Sequence, residues 1–172
     1  MKRFTCLLFL MLVICIASSA QITNKILGLT LGVSTKIQVL QAISDNKLQI
    51  RERGTDIIAC TSNSFEFGGY SWSFITFNFY KGKLYAIAFL TDRYPTCREN
   101  FSGLTIALKE KYEKYLTRND SYGNGDRWVE YDDGKTTVSL SFDFRNNRYN
   151  GGLLYCDKRL MDMKSQKDKS EL

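Results

Sequence analysis

Five carboxylates, Glu66, Glu130, Asp132, Asp133 and Asp143, are the side chains of this sequence most able to act as a general acid and base. A pair of carboxyl groups hydrolyses a glycoside when its surroundings keep one protonated and the other ionised. The spacing argues against that use. Asp133 with Gly134 suits a two-residue hairpin turn, and Asp143 falls on the polar side of an alternating strand. Glu130 and Asp132, two residues apart, share one strand face. Nothing around any of them raises a pKa. The sequence has no histidine, which removes imidazole bases, Ser-His-Asp and Cys-His nucleophile systems and most catalytic zinc sites. The segment Asp120 to Asp126 brushes against a calcium-loop pattern. There Tyr122 occupies a ligand position, and the twelfth residue is Tyr131 where a bidentate Glu is needed. The expectation is therefore a chain that is not an enzyme and has no cofactor and no metal. A small carboxylate-based hydrolase is an alternative.

Binding chemistry is better represented. Tyr70, Trp72, Trp128 and Tyr131 lie on or beside expected strands and cannot all face a core. Tyr and Trp join apolar area to a hydrogen-bonding tip, which suits protein interfaces and also sugar rings. The competing use of Trp72 and Trp128 is to fill the space between sheet and helices. The basic residues are scattered apart from Lys164, Lys167 and Lys169. They form no stripe of the kind a nucleic-acid binder needs, so no nucleic-acid partner is expected.

The address of the protein comes from its first twenty residues. Lys2 and Arg3 precede an apolar run from Phe4 to Ala17, and Ser18-Ser19-Ala20 supplies small residues at −3 and −1. These are the parts of a secretory signal, with cleavage expected after Ala20. The run is shorter than the roughly 20 residues of a spanning helix. Bulky Ile14 before Cys15 does not fit a lipobox. No membrane span is expected after cleavage, and the mature chain is secreted or periplasmic. Removing residues 1–20 leaves 152 of the 172 residues and lowers the net charge from +6 to +4, because Lys2 and Arg3 go with the signal.

Three cysteines remain, Cys60, Cys97 and Cys156. In an oxidising compartment two of them pair. Three pairings are possible, and Cys60–Cys97 is the one expected, since both fall at element ends. Cys156 lies in an apolar strand and reads as a small buried hydrophobe.

The elements that must position these residues follow from periodicity. Ile26 to Gly32 reads as a short strand and turn. Thr35 with Gln38 matches a capping box, opening a helix with Ile37, Leu40 and Ile43 on its apolar stripe. Leu48 to Cys60 reads as extended chain broken at Gly54. Trp72 to Tyr80 alternates, with Ile75, Phe77 and Phe79 on one face and Trp72 and Phe74 on the other. Lys81-Gly82 turns it into Leu84 to Leu90. A second capping box, Thr96 with Glu99, opens a helix to about Arg118, with Phe101, Leu104, Leu108, Tyr112 and Tyr115 at helical spacing. Asn119 to Gly125 reads as a polar loop. Arg127 to Asp132, Lys135 to Phe144 and Gly152 to Asp157 are strands. Val138, Leu140, Phe142 and Phe144 alternate with polar residues, as in a strand wet on one side.

These elements predict one α+β domain over 21–160, followed by a polar tail over 161–172. Two helix-plus-three-strand units, about 21–95 and 96–160, form an antiparallel sheet with both helices on one face. Short echoes link the halves, such as Gly28-Leu29-Thr30-Leu31 with Gly103-Leu104-Thr105-Ile106.

Ile26 to Ser34, Phe77 to Tyr85 and a cysteine before the second helix together resemble small secreted proteins of Gram-negative gut anaerobes. That resemblance covers most of residues 21–160 and carries no catalytic motif. The two-unit layout is similar in architecture to β-lactamase-inhibitor-type proteins and to small lipoproteins of the outer-membrane assembly machinery. It implies an envelope location and protein contacts, and transfers no site residue. The function expected is a secreted or periplasmic, non-enzymatic protein-interaction domain whose partner is an envelope or extracellular protein. A glycan-binding module using the strand aromatics is the alternative.

Overall fold

Alternating apolar residues dominate the middle of this chain, and the computed structural model folds them into a broad antiparallel sheet. It describes residues 21–92, 95–122, 125–145 and 148–171, without the side chains of residues 63, 64, 145, 148 and 149. The expected secretory signal, residues 1–20, lies outside them. Among the described residues no helix is long and apolar enough to cross a membrane.

The architecture is α+β. A two-stranded ribbon, β1 (Lys25–Ile26) and β2 (Leu29–Thr30), closes at Leu27-Gly28, both with positive φ, as a tight hairpin requires. Helix α1 (Lys36–Asp45) follows. Next come β3 (Gln49–Arg53), β4 (Ile57–Phe67), β5 (Tyr70–Tyr80) and β6 (Lys83–Thr91). Helix α2 (Thr96–Tyr112) and a 3-10 turn (Glu113–Tyr115) lead to β7 (Leu116–Ser121), β8 (Arg127–Asp132), β9 (Thr136–Arg145) and β10 (Arg148–Asp157). Helix α3 (Lys158–Ser170) ends the described chain. Strands β3 to β10 form one sheet in the order β3-β4-β5-β6-β10-β9-β8-β7. Each of the first two helices is thus followed by four strands rather than the three expected. The additional strand of the second half is β7, read from sequence as helix end and polar loop. Leu116 to Ser121 is largely exposed and carries no apolar alternation. Only pairing with β8 makes it a strand.

One face of the sheet carries the core. Ile58 and Cys60 of β4, Ile75, Phe77 and Phe79 of β5, Leu84, Ile87 and Phe89 of β6, and Leu153 and Tyr155 of β10 are buried there. Val138 and Leu140 of β9 and Val129 and Tyr131 of β8 complete it. Each such side chain contributes about 1.5–3 kcal/mol when fully buried. Helix α1 closes one end. Its Thr35–Gln38 capping box forms as expected, with Thr35 N–H donating to Gln38 Oε1 at 2.9 Å. The buried residues are Val39 and Ile43, an i,i+4 pair, whereas Ile37 is 79% exposed. Helix α2 packs over β9 and β10 with Phe101, Leu104, Leu108 and Tyr112 inward. Its N-cap is Pro95 and makes no side-chain cap bond, so the Thr96–Glu99 box does not form; Thr96 is already helical.

Helix α3 is different. It contacts β6 and β10 and starts where β10 ends, with Asp157 Oδ1 accepting from Leu160 N–H at 2.8 Å. Leu160 is buried together with Ala86, Cys156 and Thr137, which occupy one cross-strand row on the face opposite the core. The first two helices share the core face, whereas the C-terminal tail extends as a helix on the other face.

The expected Cys60–Cys97 bridge is also absent. Cys60, Cys97 and Cys156 are all buried, and no disulfide joins Cys60 to Cys97. Cys60 points into the core from β4 between its neighbours Ile50 and Ile75. Cys97, in the first turn of α2, has Sγ donating to Thr91 O at 3.3 Å. Burial raises the thiol pKa of Cys60 to about 11 and, with Asp157 and Asp162 nearby, that of Cys156 to about 12. Such thiols are inert small hydrophobes rather than nucleophiles.

Candidate functional site

The second face of the sheet is covered only in part, and its open portion is built from small residues flanked by large ones. One register row crosses six strands: Thr61, Phe74, Leu90, Gly152, Ser141 and Trp128. The next row reads Ala59, Thr76, Ala88, Leu154, Ser139 and Glu130. The third, Ile57, Asn78, Ala86, Cys156, Thr137 and Asp132, includes the residues buried with α3.

Phe74 and Leu90 are direct cross-strand neighbours and are 40% and 39% exposed. Alternation forces this: Ile75, Phe77 and Phe89 point into the core, so Phe74 and Leu90 must point away. Gly152 lies beside Leu90 on the next strand. A Cβ there would stand 3.0 Å from Leu90 Cδ2 and 3.3 Å from Ser141 Oγ, so these two side chains already close over the glycine. Phe74 separates two shallow depressions of about 400 and 300 Å³ that share Asp92 at their rim. The first is lined by Gln49, Arg51, Thr61 and Ser73, the second by Leu90, Ser141, Asp143 and Asn150.

At the far side of the row stands Trp128. The Arg118 guanidinium lies 5.5 Å from its ring centroid, within cation–π range. Its Nε1 is enclosed and has no hydrogen-bond partner. Arg118 is itself held by the Asp120 carboxylate and by Tyr122, whose hydroxyl lies 2.5 Å from a guanidinium nitrogen. The hydrogen bond from Arg118 holds the Asp120 carboxyl below its usual range, and the same pair raises Arg118. Asp120 and Tyr122, placed by sequence in a calcium-like loop, thus steady an arginine over an indole. Gly123 and Asn124 of that loop lie outside the described residues.

Of the four aromatics expected to bind, Trp128 alone reaches the open face. Trp72 is 3% exposed in the core, with Nε1 donating to Phe67 O at 3.1 Å and its ring 5.8 Å from Phe89. Sequence alternation puts Trp72 beside Phe74. The structure reverses this because β4 carries extra residues between Thr61 and Phe65, and the inward phase of β5 changes between Trp72 and Ile75. Tyr131 is 1% exposed, its ring 6.3 Å from that of Tyr112. Tyr70 is half-buried with its phenol against Gly103 of α2. Phe74 and Leu90 were not singled out from sequence, although the alternation of β5 and β6 contains the signal.

The carboxylates have other partners. Asp133 Oδ1 accepts from the backbone of Lys135 at 2.9 Å and Thr136 at 2.8 Å, and its Oδ2 accepts from Ile22 N–H at 2.9 Å. Asp132 is paired with Lys158 of α3 and caps Gly134 N–H at 2.7 Å. Asp143 accepts from Asn150 Nδ2 at 2.9 Å, and Glu66 is exposed on β4. Glu130 shares the open face with Asp132, as their spacing dictates.

Comparisons with protein-family models, with curated proteins and with solved structures find no match.

Proposed function

We propose that this chain is a secreted or periplasmic protein-interaction domain, and that its partner, an envelope or extracellular protein, docks on the open sheet face. One observation carries the reading. Phe74 and Leu90, two large apolar side chains on adjacent inner strands, stand exposed in a field of small residues that α3 leaves uncovered. A central apolar anchor with a polar rim is the anatomy of a protein interface. Arg51, Asp92, Asp143 and Asn150 supply the rim. The partly exposed ring of Trp128, stacked under Arg118, offers a further anchor.

The reading is non-enzymatic, since Asp132 and Asp133 already serve ion pairing and backbone capping and Asp143 holds the Asn150 amide. The mirrored strand order around the β6–β10 seam supports two related units, about 21–95 and 96–160, with each half of the sheet contributing one of Leu90 and Trp128.

The test places a photo-crosslinking residue at Phe74 and, as a control on the helix-bearing side, at exposed Ile37, in the tagged protein expressed in its own cells. A single protein captured from Phe74 and not from Ile37 is expected, and Leu90→Glu should abolish it. Equal capture from both positions would remove the open face from consideration. Loss of capture together with quenching of Trp128 fluorescence by a polysaccharide would transfer the reading to glycan binding.

A further inference from the structure

On the opposite side of the molecule, away from the proposed docking face, a cleft of about 440 Å³ opens between α2 and one end of β8 and β9. Arg98, Ser102 and Thr105 line it from α2, at spacings of four and three that put them on one helix face. Arg127, the first residue of β8, lines it from the sheet, directly across from Phe142 of β9. Phe101 and Phe142 form an apolar wall, with ring centroids 5.9 Å apart and planes tilted by 49°.

Among the described residues the two arginines have no acidic partner. Neither Arg98 nor Arg127 makes a side-chain hydrogen bond or ion pair with any described residue. The acid next in sequence, Asp126, is turned to β9, where its Oδ1 accepts from Phe144 N–H at 3.0 Å. Two like charges facing one cleft repel each other, and an anion between them relieves that repulsion. A guanidinium offers a planar fork of donors that matches a carboxylate or a phosphate. The size of the cleft is that of a small-molecule site, and its lining combines two cations, two hydroxyls and two aromatic rings.

We propose that this cleft binds a small molecule with an oxyanion on an apolar body, the oxyanion held between Arg98 and Arg127 and the body against Phe101 and Phe142. This site is independent of the docking face and of the function proposed for it.

Titration calorimetry of the mature chain, residues 21–172, with phenyl phosphate, benzoate, inorganic phosphate and benzyl alcohol tests it. At least one aromatic anion is expected to bind. Inorganic phosphate, which lacks the body, and benzyl alcohol, which lacks the charge, should bind about tenfold or more weakly by comparison. The ratio of phenyl phosphate to benzoate tells a phosphate site from a carboxylate site. Arg98→Gln and Arg127→Gln should each weaken binding by about tenfold, and Arg98→Lys should lose part of it because the fork is gone. Phe74→Glu on the other face should leave it unchanged. Both arginines are exposed, so folding does not depend on them. Undiminished binding in the Arg98→Gln/Arg127→Gln double variant would overturn the proposal. Benzyl alcohol binding as tightly as the anions, or no binding by either aromatic anion, would do the same.

Discussion

Two glycines set how closely α2 lies on the sheet. Gly151 of β10 has the first turn of α2 above it, and a Cβ there would stand 3.3 Å from Cys97 Cβ and 3.4 Å from its Cα. Gly103, within α2, faces the Tyr70 ring, whose Cε1 and Cζ would each lie 2.8 Å from an added Cβ. A glycine inside a helix costs up to about 1 kcal/mol against alanine, so its presence marks a steric demand. Gly103→Ala is expected to destabilise the fold by about 1–2 kcal/mol, since overpacking outweighs the gain in helix propensity. In a Tyr70→Leu background the same change should cost less, and urea unfolding of the four proteins reads the coupling. An additive cycle would show that the two side chains do not compete for space. At the same scale, a single phase change in β5 decides that Trp72 is core and Phe74 surface.

Helix α3 is the element whose role is least apparent from its own composition. Its polar residues suggest a solvated tail, yet Leu160 is buried with Ala86 and Cys156 on the face that the other two helices do not reach. Asp157 caps its start, and the Lys158–Asp132 ion pair ties it to β8. Leu160→Ala should cost about 2–3 kcal/mol and should uncover Cys156 while Cys60 and Cys97 stay protected in the main core. Alkylation of the native variant, mapped by mass spectrometry, should therefore label Cys156 first. A folded variant with Cys156 still inert would mean that α3 is not its cover. The edge strands show a second element-level device. All five residues of β3 are exposed, and three of them, Arg51, Glu52 and Arg53, are charged. Charge on an edge discourages further strands from pairing there.

At the scale of the whole molecule, two four-stranded meanders meet at the β6–β10 seam, where Phe89 opposes Leu153 and Ile87 opposes Tyr155. Burial on the two faces of this sheet holds several acidic protons. Burial raises the pKa of Cys60 to about 11 and of Cys156 to about 12, and pushes those of Cys97, Tyr131 and Tyr155 upward. In the unfolded chain the thiols ionise near 8.5 and the phenols near 10. The folded protein therefore keeps protons that the unfolded chain releases as pH rises. This contribution to stability is fully present below about pH 8.5 and is lost progressively as pH climbs toward the folded values. The urea midpoint should fall steadily from pH 8.5 to 11, and replacing Cys60 and Cys156 with Ala should flatten the fall. A midpoint independent of pH over that range would contradict the burial assigned to these groups.

The sequence by itself determined the α+β class, the α1 capping box and the β5–β6 and β8–β9 hairpins, but not the polar side of β9, where Thr137 and Ser139 are buried rather than wet. The features it did determine rest on local rules: turn residues, side-chain alternation and the helical spacing of apolar residues. Tertiary structure alone decided the rest. Strand β7 exists because β8 offers it a partner, and α3 is held because the sheet leaves Ala86 and Cys156 to be covered. Cys60 and Cys97 are not bridged because each points into its own packed surroundings. The sequence left Trp72 and Trp128 each open to a core or a surface use and marked neither Tyr131 as core nor Tyr70 as half-buried; the structure puts Trp72 in the core and Trp128 at the open face. A bulge shifts the phase around Trp72, and the burial of the two tyrosines depends on partners, Gly103 and Tyr112, that belong to α2. The Arg98–Arg127 cleft is likewise non-local: it joins a helix turn to a strand end that only the assembled sheet brings within reach.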